Sequence, residues 1–247
     1  MSSKSSVKRE VRSTFDFISH DYDKLRSRVW EDLTDFTKEC LFPLTVNKSD
    51  LILDLACGNA RHAIYFTQKY ELRGIAIDFS SQLLKLAKKR LESSSAKHTI
   101  ALINSDASNI PLRKNSLSAA LYIAAIHHLP AGSERAKSLS EVRRVLFPGG
   151  RAIVTVWRKW QRRFASYFLK KHLRHVFGNK TDGELGDIHI PWKSNHGTAS
   201  VLRFYHLFSK GELRKLITLS GFRIVKITKS SKKAGEASFF VCIEKKR

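Results

Sequence analysis

Three cysteines, Cys40, Cys57 and Cys242, are all that the 247 residues contain. They are too few and too scattered for a disulfide framework or a paired-cysteine zinc site, so a reducing compartment and no resident metal are expected. Long apolar runs are equally scarce. The longest, Ala119–Ile126, falls far short of the length needed to cross a bilayer. The opening MSSKSSVKRE offers no apolar stretch for a secretory signal. A cytoplasmic protein with no membrane partner is expected. Acidic side chains are the third shortage: 22 Asp and Glu stand against 45 Lys and Arg, a net charge of +23. Residues 151–247 hold 22 of the cations and 6 of the anions, a local excess of +16. A field of that sign concentrates polyanions, nucleic acid foremost. What the chain does have is core material, 42% hydrophobic and 10% aromatic residues, which excludes a disordered tail.

The first half alternates strand-like and helix-like runs. Residues 7–40 read as helical, in two pieces broken near His20–Asp21. Apolar runs at Leu51–Leu55, Arg73–Ile77, Thr99–Ile103, Leu117–Ala124 and Arg151–Val156 read as strands. Helical stretches follow the first, at Ser80–Leu91 and at Ser133–Leu146, the last ended by Pro148-Gly149-Gly150. Repeated strand–helix order implies a Rossmann-like α/β fold, a mostly parallel sheet with helices on both faces. Residues 181–206 read as loop, Lys210–Leu219 as a helix, and Phe222–Ile227 with Ala237–Ile243 as an antiparallel edge hairpin. The expected organisation is one unit over 1–247, with N-terminal helices to residue 45 and a basic insertion at 157–206.

The segment Leu51-Ile-Leu-Asp54-Leu-Ala-Cys-Gly58-Asn-Ala60 runs a strand into an acid and a turn of small residues. Small residues let a backbone approach a ligand, and the helix beyond offers free N–H groups. The dinucleotide pattern GxGxxG is absent, and Asp54 would repel a pyrophosphate. It suits a ligand with an ammonium group, such as S-adenosylmethionine. Asp78 ends the second strand, where a carboxylate accepts from ribose hydroxyls, unless it caps the helix at Ser80. Asp106-Ala107 ends the third, where the acid meets an adenine amino group or serves only the turn. Ala56, Gly58 and Ile123 complete the expected cofactor set.

Together these features resemble the class I S-adenosylmethionine-dependent methyltransferases, with Ala56 and Ala60 where that family favours glycine. A narrower resemblance rests on three blocks: Ile126-His127-His128-Leu129 with Glu134-Arg135, Asp187-Ile-His-Ile-Pro191-Trp192-Lys193, and Arg203-Phe204-Tyr205-His206 followed by Gly211-Glu212-Leu213. They resemble the tRNA wobble-uridine carboxymethyl methyltransferases, with Phe204 as a departure from tyrosine. The resemblance implies a seven-stranded sheet. It implies methyl transfer to the carboxylate of 5-carboxymethyluridine at the wobble position (U34) of tRNA, and a small zinc-binding activator protein as partner. It implies an active site of Arg26 (or Arg28), His127, Arg135 and Asp187, and substrate contacts from Trp192, Arg203, Tyr205 and His206. Each has a plainer reading: a satisfied histidine, a surface arginine, a loop anchor. Trp157–Lys180 has no acidic residue and interleaves cations with aromatics, so Arg162, Arg163, Lys170 and Lys171 are expected to meet RNA. A methyltransferase for a small molecule, such as a quinone precursor, and an inactive RNA-binding scaffold are the alternatives.

Overall fold

The apolar runs of the first half become parallel strands because both faces of a helix-flanked sheet are buried. The computed structural model describes residues 4–41, 50–178, 183–193, 200–230 and 238–247. Helices α1 (Lys4–Leu25) and α2 (Glu31–Leu41) precede β1 (Leu51–Leu55), α3 (Arg61–Tyr70), β2 (Arg73–Asp78), α4 (Ser81–Glu92), β3 (Ile100–Asn104) and β4 (Leu117–Ile123). Then come α5 (Gly132–Val145), β5 (Leu146–Trp157), α6 (Ala165–Val176), β6 (Asp187–Lys193), β7 (Ser200–His206), α7 (Lys210–Leu219), β8 (Phe222–Lys229) and β9 (Ser238–Lys245). Seven strands form one sheet in the order β3-β2-β1-β4-β5-β9-β8. β1 to β5 run parallel, and β9 is antiparallel to both β5 and β8. The strand order reverses between β1 and β4, which opens a crevice at their carboxyl ends.

Three expectations are corrected. α1 continues unbroken past His20 to Leu25. The chain bends instead just beyond, where Asn59 Nδ2 donates to the free carbonyl of Arg26 at 3.0 Å and satisfies the helix end. Pro148-Gly149-Gly150 does not separate helix from strand. It lies inside β5, at the point where pairing with β4 shifts register between Leu117 and Ala119. Asp187–Lys193 and Ser200–His206 are strands and not loop. β6 and β7 pair as a separate two-stranded antiparallel ribbon. Ile188, Trp192 and Tyr205 share one face of the ribbon and are buried, and Phe204 is buried on the other, so both faces pack in part. Residues 194–199 within it, Lys180, and the 231–237 link between β8 and β9 lie outside the described residues. None of the described helices is long and apolar enough to cross a membrane.

Candidate active site

A cavity of about 220 Å³ occupies the crevice at the strand ends. Its floor is the turn after β1. Ala56, Gly58 and Ala60 all adopt left-handed backbone, with φ of 55°, 58° and 56°. Alanine there costs roughly 1–2 kcal/mol that glycine would not, so the turn keeps a glycine path under strain. Gly58 also needs its bareness, because a Cβ would stand 3.3 Å from the Tyr22 ring.

At one end of the cavity lies Asp78, 3% exposed. Its Oδ2 accepts the N–H of Gly58 and its Oδ1 that of Ser80, both at 2.8 Å. Each oxygen retains a lone pair for a ligand. Asp78 is not the cap of α4, a place Ser80 takes by accepting from Leu83 N; it braces the turn that leads into that helix. Asp106, also lining the cavity, accepts from Ser108 N at 2.7 Å and pairs with Lys8 at 2.7 Å. Burial alone would raise the Asp106 pKa, but Lys8 and the hydrogen bonds from Ser108 together outweigh it and hold the carboxyl below its usual range.

The other end is cationic and aromatic. Arg26, Arg203, His127, Trp157 and Tyr205 line it. Tyr205 stacks on Trp157 with ring centroids 4.7 Å apart, and on His127 at 5.2 Å. The Arg203 guanidinium lies over Trp192 at 4.6 Å and Tyr205 at 5.2 Å. His127 is fully buried. The backbone N–H of Trp157 donates to its Nδ1 at 3.3 Å, which puts the imidazole proton on Nε2, an atom with no partner among the described residues. Burial drives the His127 pKa well below its ordinary value, with His128 and Arg203 adding to the effect, so the ring is neutral.

Residues 52–150 match the methyltransferase domain family. The chain is 27% identical to the tRNA (carboxymethyluridine(34)-5-O)-methyltransferase of Schizosaccharomyces pombe, with 87% of this chain and 89% of that one covered. It is 26% identical to the enzyme of that name from Xenopus tropicalis, over 86% of this chain and 38% of the relative, so it spans under two fifths of that protein's length. Its fold matches a methyltransferase from Methanosarcina mazei with a TM-score of 0.66 at 19% identity, covering 88% of this chain and 98% of that one. Residues 52–150 thus carry a methyltransferase domain within a Rossmann-like methyltransferase fold, and its cofactor is S-adenosylmethionine.

Within this methyltransferase the expected residues divide. Ala56, Gly58, Asp78, Asp106, Ala107 and Ile123 line the cavity. So do Arg26, His127, Arg203 and Tyr205. Arg28 is exposed and absent from the lining, whereas Arg26 is part of it. Asp54 is buried behind the lining and is not part of it. Ala60 has no side chain to cap α3, and Asp54 Oδ2 does that work by accepting the N–H of Ala63 at 3.0 Å. Trp192 is buried beside Tyr22 and under Arg203, among Val11, Phe15 and Ile18, and does not reach the lining.

Arg135, Asp187 and His206 lie outside the cavity, in a buried charge cluster. Arg135 donates to the carbonyl of Leu129 at 2.8 Å and pairs with Glu184. Asp187 accepts from Glu184 N at 2.7 Å, and its other oxygen meets His206 Nδ1 at 2.7 Å. His206 Nε2 reaches Glu212, the capping-box acid of α7, at 2.5 Å. With a carboxylate on each nitrogen, His206 is an imidazolium. Burial opposes that charge, yet Asp187 and Glu212 outweigh it and raise the pKa. Glu184, Asp187 and His206 have metal-like spacing, but Arg135 and the imidazolium protons already fill the space between them. Lys171 joins the cluster through the carbonyls of Glu184 and Asp187, at 2.8 and 2.9 Å. It is a brace for the ribbon, while Arg162, Arg163 and Lys170 are exposed.

Sequence reasoning missed Lys8, Tyr22, Arg61 and Trp157 in the lining. Arg61 adjoins the small-residue turn and carried a usable signal. Lys8 meets Asp106 across 98 positions and carried none.

Proposed function

We propose that this methyltransferase acts on tRNA, transferring the methyl of S-adenosylmethionine to the carboxylate of 5-carboxymethyluridine at the wobble position. The names of the relatives support the acceptor class. The observation that carries the reading is the cationic end of the cavity, where Arg26 and Arg203 stand with a neutral histidine whose only open atom is an N–H donor. Such a site receives an anion and lacks a base. A carboxylate acceptor needs none, being ionised above about pH 5.

The cavity fits the cofactor. Asp78 takes the ribose hydroxyls on its two open lone pairs, Asp106 and the backbone of Ala107 take the adenine edge, and Ala56 and Gly58 admit the chain between. When bound, the cofactor supplies an electrophilic methyl on a sulfonium. Arg26 and Arg203 hold the acceptor carboxylate by one oxygen, so the other keeps its lone pair for attack. His127 Nε2–H adds a third donor. The stacked wall of Trp157, Tyr205 and His127 excludes water.

The deciding assay supplies S-adenosylmethionine and tRNA carrying carboxymethyluridine, with and without a small zinc-binding activator, and looks for the methyl ester. The rate is expected to be level from about pH 6.5 to 8.5, since no proton is removed. Arg26→Ala is expected to lower transfer by roughly 100-fold through lost orientation and to spare S-adenosylhomocysteine binding. A rate that climbs through neutrality, or methylation of a quinone-like phenol in place of tRNA, would sink the reading.

Helix α6 and its approach form the proposed RNA surface. Trp160, Tyr167, Leu173 and Phe177 are exposed there between Arg162, Lys170 and Arg174. Exchanging those three cations for glutamine is expected to flatten the salt dependence of tRNA binding by about 2 logarithmic units of slope. An unchanged slope would move the RNA elsewhere.

A further inference from the structure

Helix α6 is fastened to the rest of the molecule along one narrow line. Phe168 is fully buried, packed with Ile188, Tyr205 and Leu207. Lys171, one turn on, holds the carbonyls of Glu184 and Asp187. A second apolar line runs down another side of the same helix. Leu169, Leu173 and Val176 follow one another by four and then three residues, and Phe177 adjoins them at the helix end. At 3.6 residues per turn the three aliphatic residues lie within about 60° of one another, and about 140° round from the Phe168–Lys171 line. All four side chains are 45% to 77% exposed. None belongs to a core cluster among the described residues.

An apolar stripe left in water marks an interaction surface. Saturated side chains offer no π face for a base to stack on, so this stripe adds nothing to an RNA surface. Its spacing is that of the d, a and d positions of a coiled-coil seam, and its width is that of a seam, narrower than the broad apolar face that lies in a bilayer. On the same register Lys170 and His172 take the flanking e and g positions, where charge selects the partner. α6 contains Lys170, Lys171 and Arg174 and no Asp or Glu. A second copy of this chain would set those cations against their own kind, on a molecule of net charge +23. A helix with an apolar seam and acidic flanks satisfies both the stripe and the charge. We propose that α6 is the docking site for an acidic amphipathic helix of another protein. The proposal does not rest on the choice of acceptor.

Synthetic peptides test it on the full chain. The first probe spans about three heptads with Leu at a and d and Glu at e and g, and the second has Lys in place of Glu. The Glu peptide is expected to bind, read by fluorescence anisotropy, and the Lys peptide to bind roughly tenfold more weakly or not at all. Leu169→Gln combined with Val176→Gln removes the stripe and keeps the net charge, so general attraction between an acidic peptide and a basic chain survives in it. This double variant is expected to lose roughly tenfold or more in affinity for the Glu peptide. Both positions are exposed, so its melting temperature and S-adenosylhomocysteine affinity are expected to match the wild type. Lys170→Glu is expected to weaken the Glu peptide roughly threefold. Equal binding of the Glu peptide to wild type and double variant would overturn the proposal. So would a dimer, or binding to phosphatidylserine vesicles, that the double variant loses while the Glu peptide is ignored. Loss of tRNA binding in the double variant would hand the stripe to RNA. Failure of the tRNA methylation assay leaves the peptide comparison standing.

Discussion

Asp78→Ala is expected to cost S-adenosylhomocysteine roughly 10- to 100-fold in affinity, the worth of charge-assisted hydrogen bonds from two ribose hydroxyls. The same change removes the acceptor for Gly58 N and Ser80 N, so the turn after β1 loosens with it. A pH dependence goes with the affinity. Burial pushes the Asp78 carboxyl up to about 6, against the pull of the Ser80 and Gly58 N–H groups. Ribose hydroxyls donate to the carboxylate and not to the acid. Below about pH 6 the free protein carries a proton that must leave before the ligand is held, and affinity falls by up to about tenfold per pH unit. Above about pH 7 it is level. Asp78→Asn, which cannot ionise, loses that dependence. A wild-type affinity unchanged from pH 5 to 8 would assign Asp78 to the turn alone.

The second large effect is on stability. His206→Asn leaves Asp187, Glu184 and Glu212 gathered without the imidazolium between them. The cost is expected near the lower end of the 3–5 kcal/mol typical of a broken buried pair, because Glu184 and Glu212 keep part of their water. Arg135→Ala acts in the same sense. Urea unfolding reads the loss, and cofactor binding by the molecules that remain folded is expected to be unimpaired. The pH sign follows from the raised pKa of His206. Its contribution is complete below the ordinary histidine range and fades as pH rises through the elevated value, so the gap between wild type and His206→Asn narrows in alkali. A variant of normal stability with abolished methyl transfer would return His206 to the chemistry.

Arg135, Asp187 and His206 show why motif blocks locate a region better than a role. All three sit in the segments that the resemblance singled out, and all three converge in space. Their partners, Glu184 and Glu212, decide that they converge on one another and not on the cavity. That choice depends on the β6–β7 ribbon, which the sequence disguised as loop because Pro191 and a short apolar run weaken the alternation of a two-stranded ribbon. The parallel strands were legible for the opposite reason: burial on both faces makes Leu51–Leu55 and Leu117–Ile123 nearly continuous apolar runs. Asp54 was misjudged through a missing cap. An alanine at the start of α3 has nothing to offer Ala63 N, and a carboxylate on the neighbouring strand end is drawn to that duty.

Helix α1 contributes Lys8, Val11, Phe15 and Tyr22 to the cavity wall, and Arg26 follows just past its end. Its 22 residues make a rod of about 33 Å. Lys8 is moored at the Asp106 end, and the Arg26 carbonyl at the Asn59 end. One stiff lever thus roofs both halves of the cavity. A substitution that tilts this rod at Lys8 is therefore felt at Arg26 as well, so the two halves of the cavity share one wall and one point of failure.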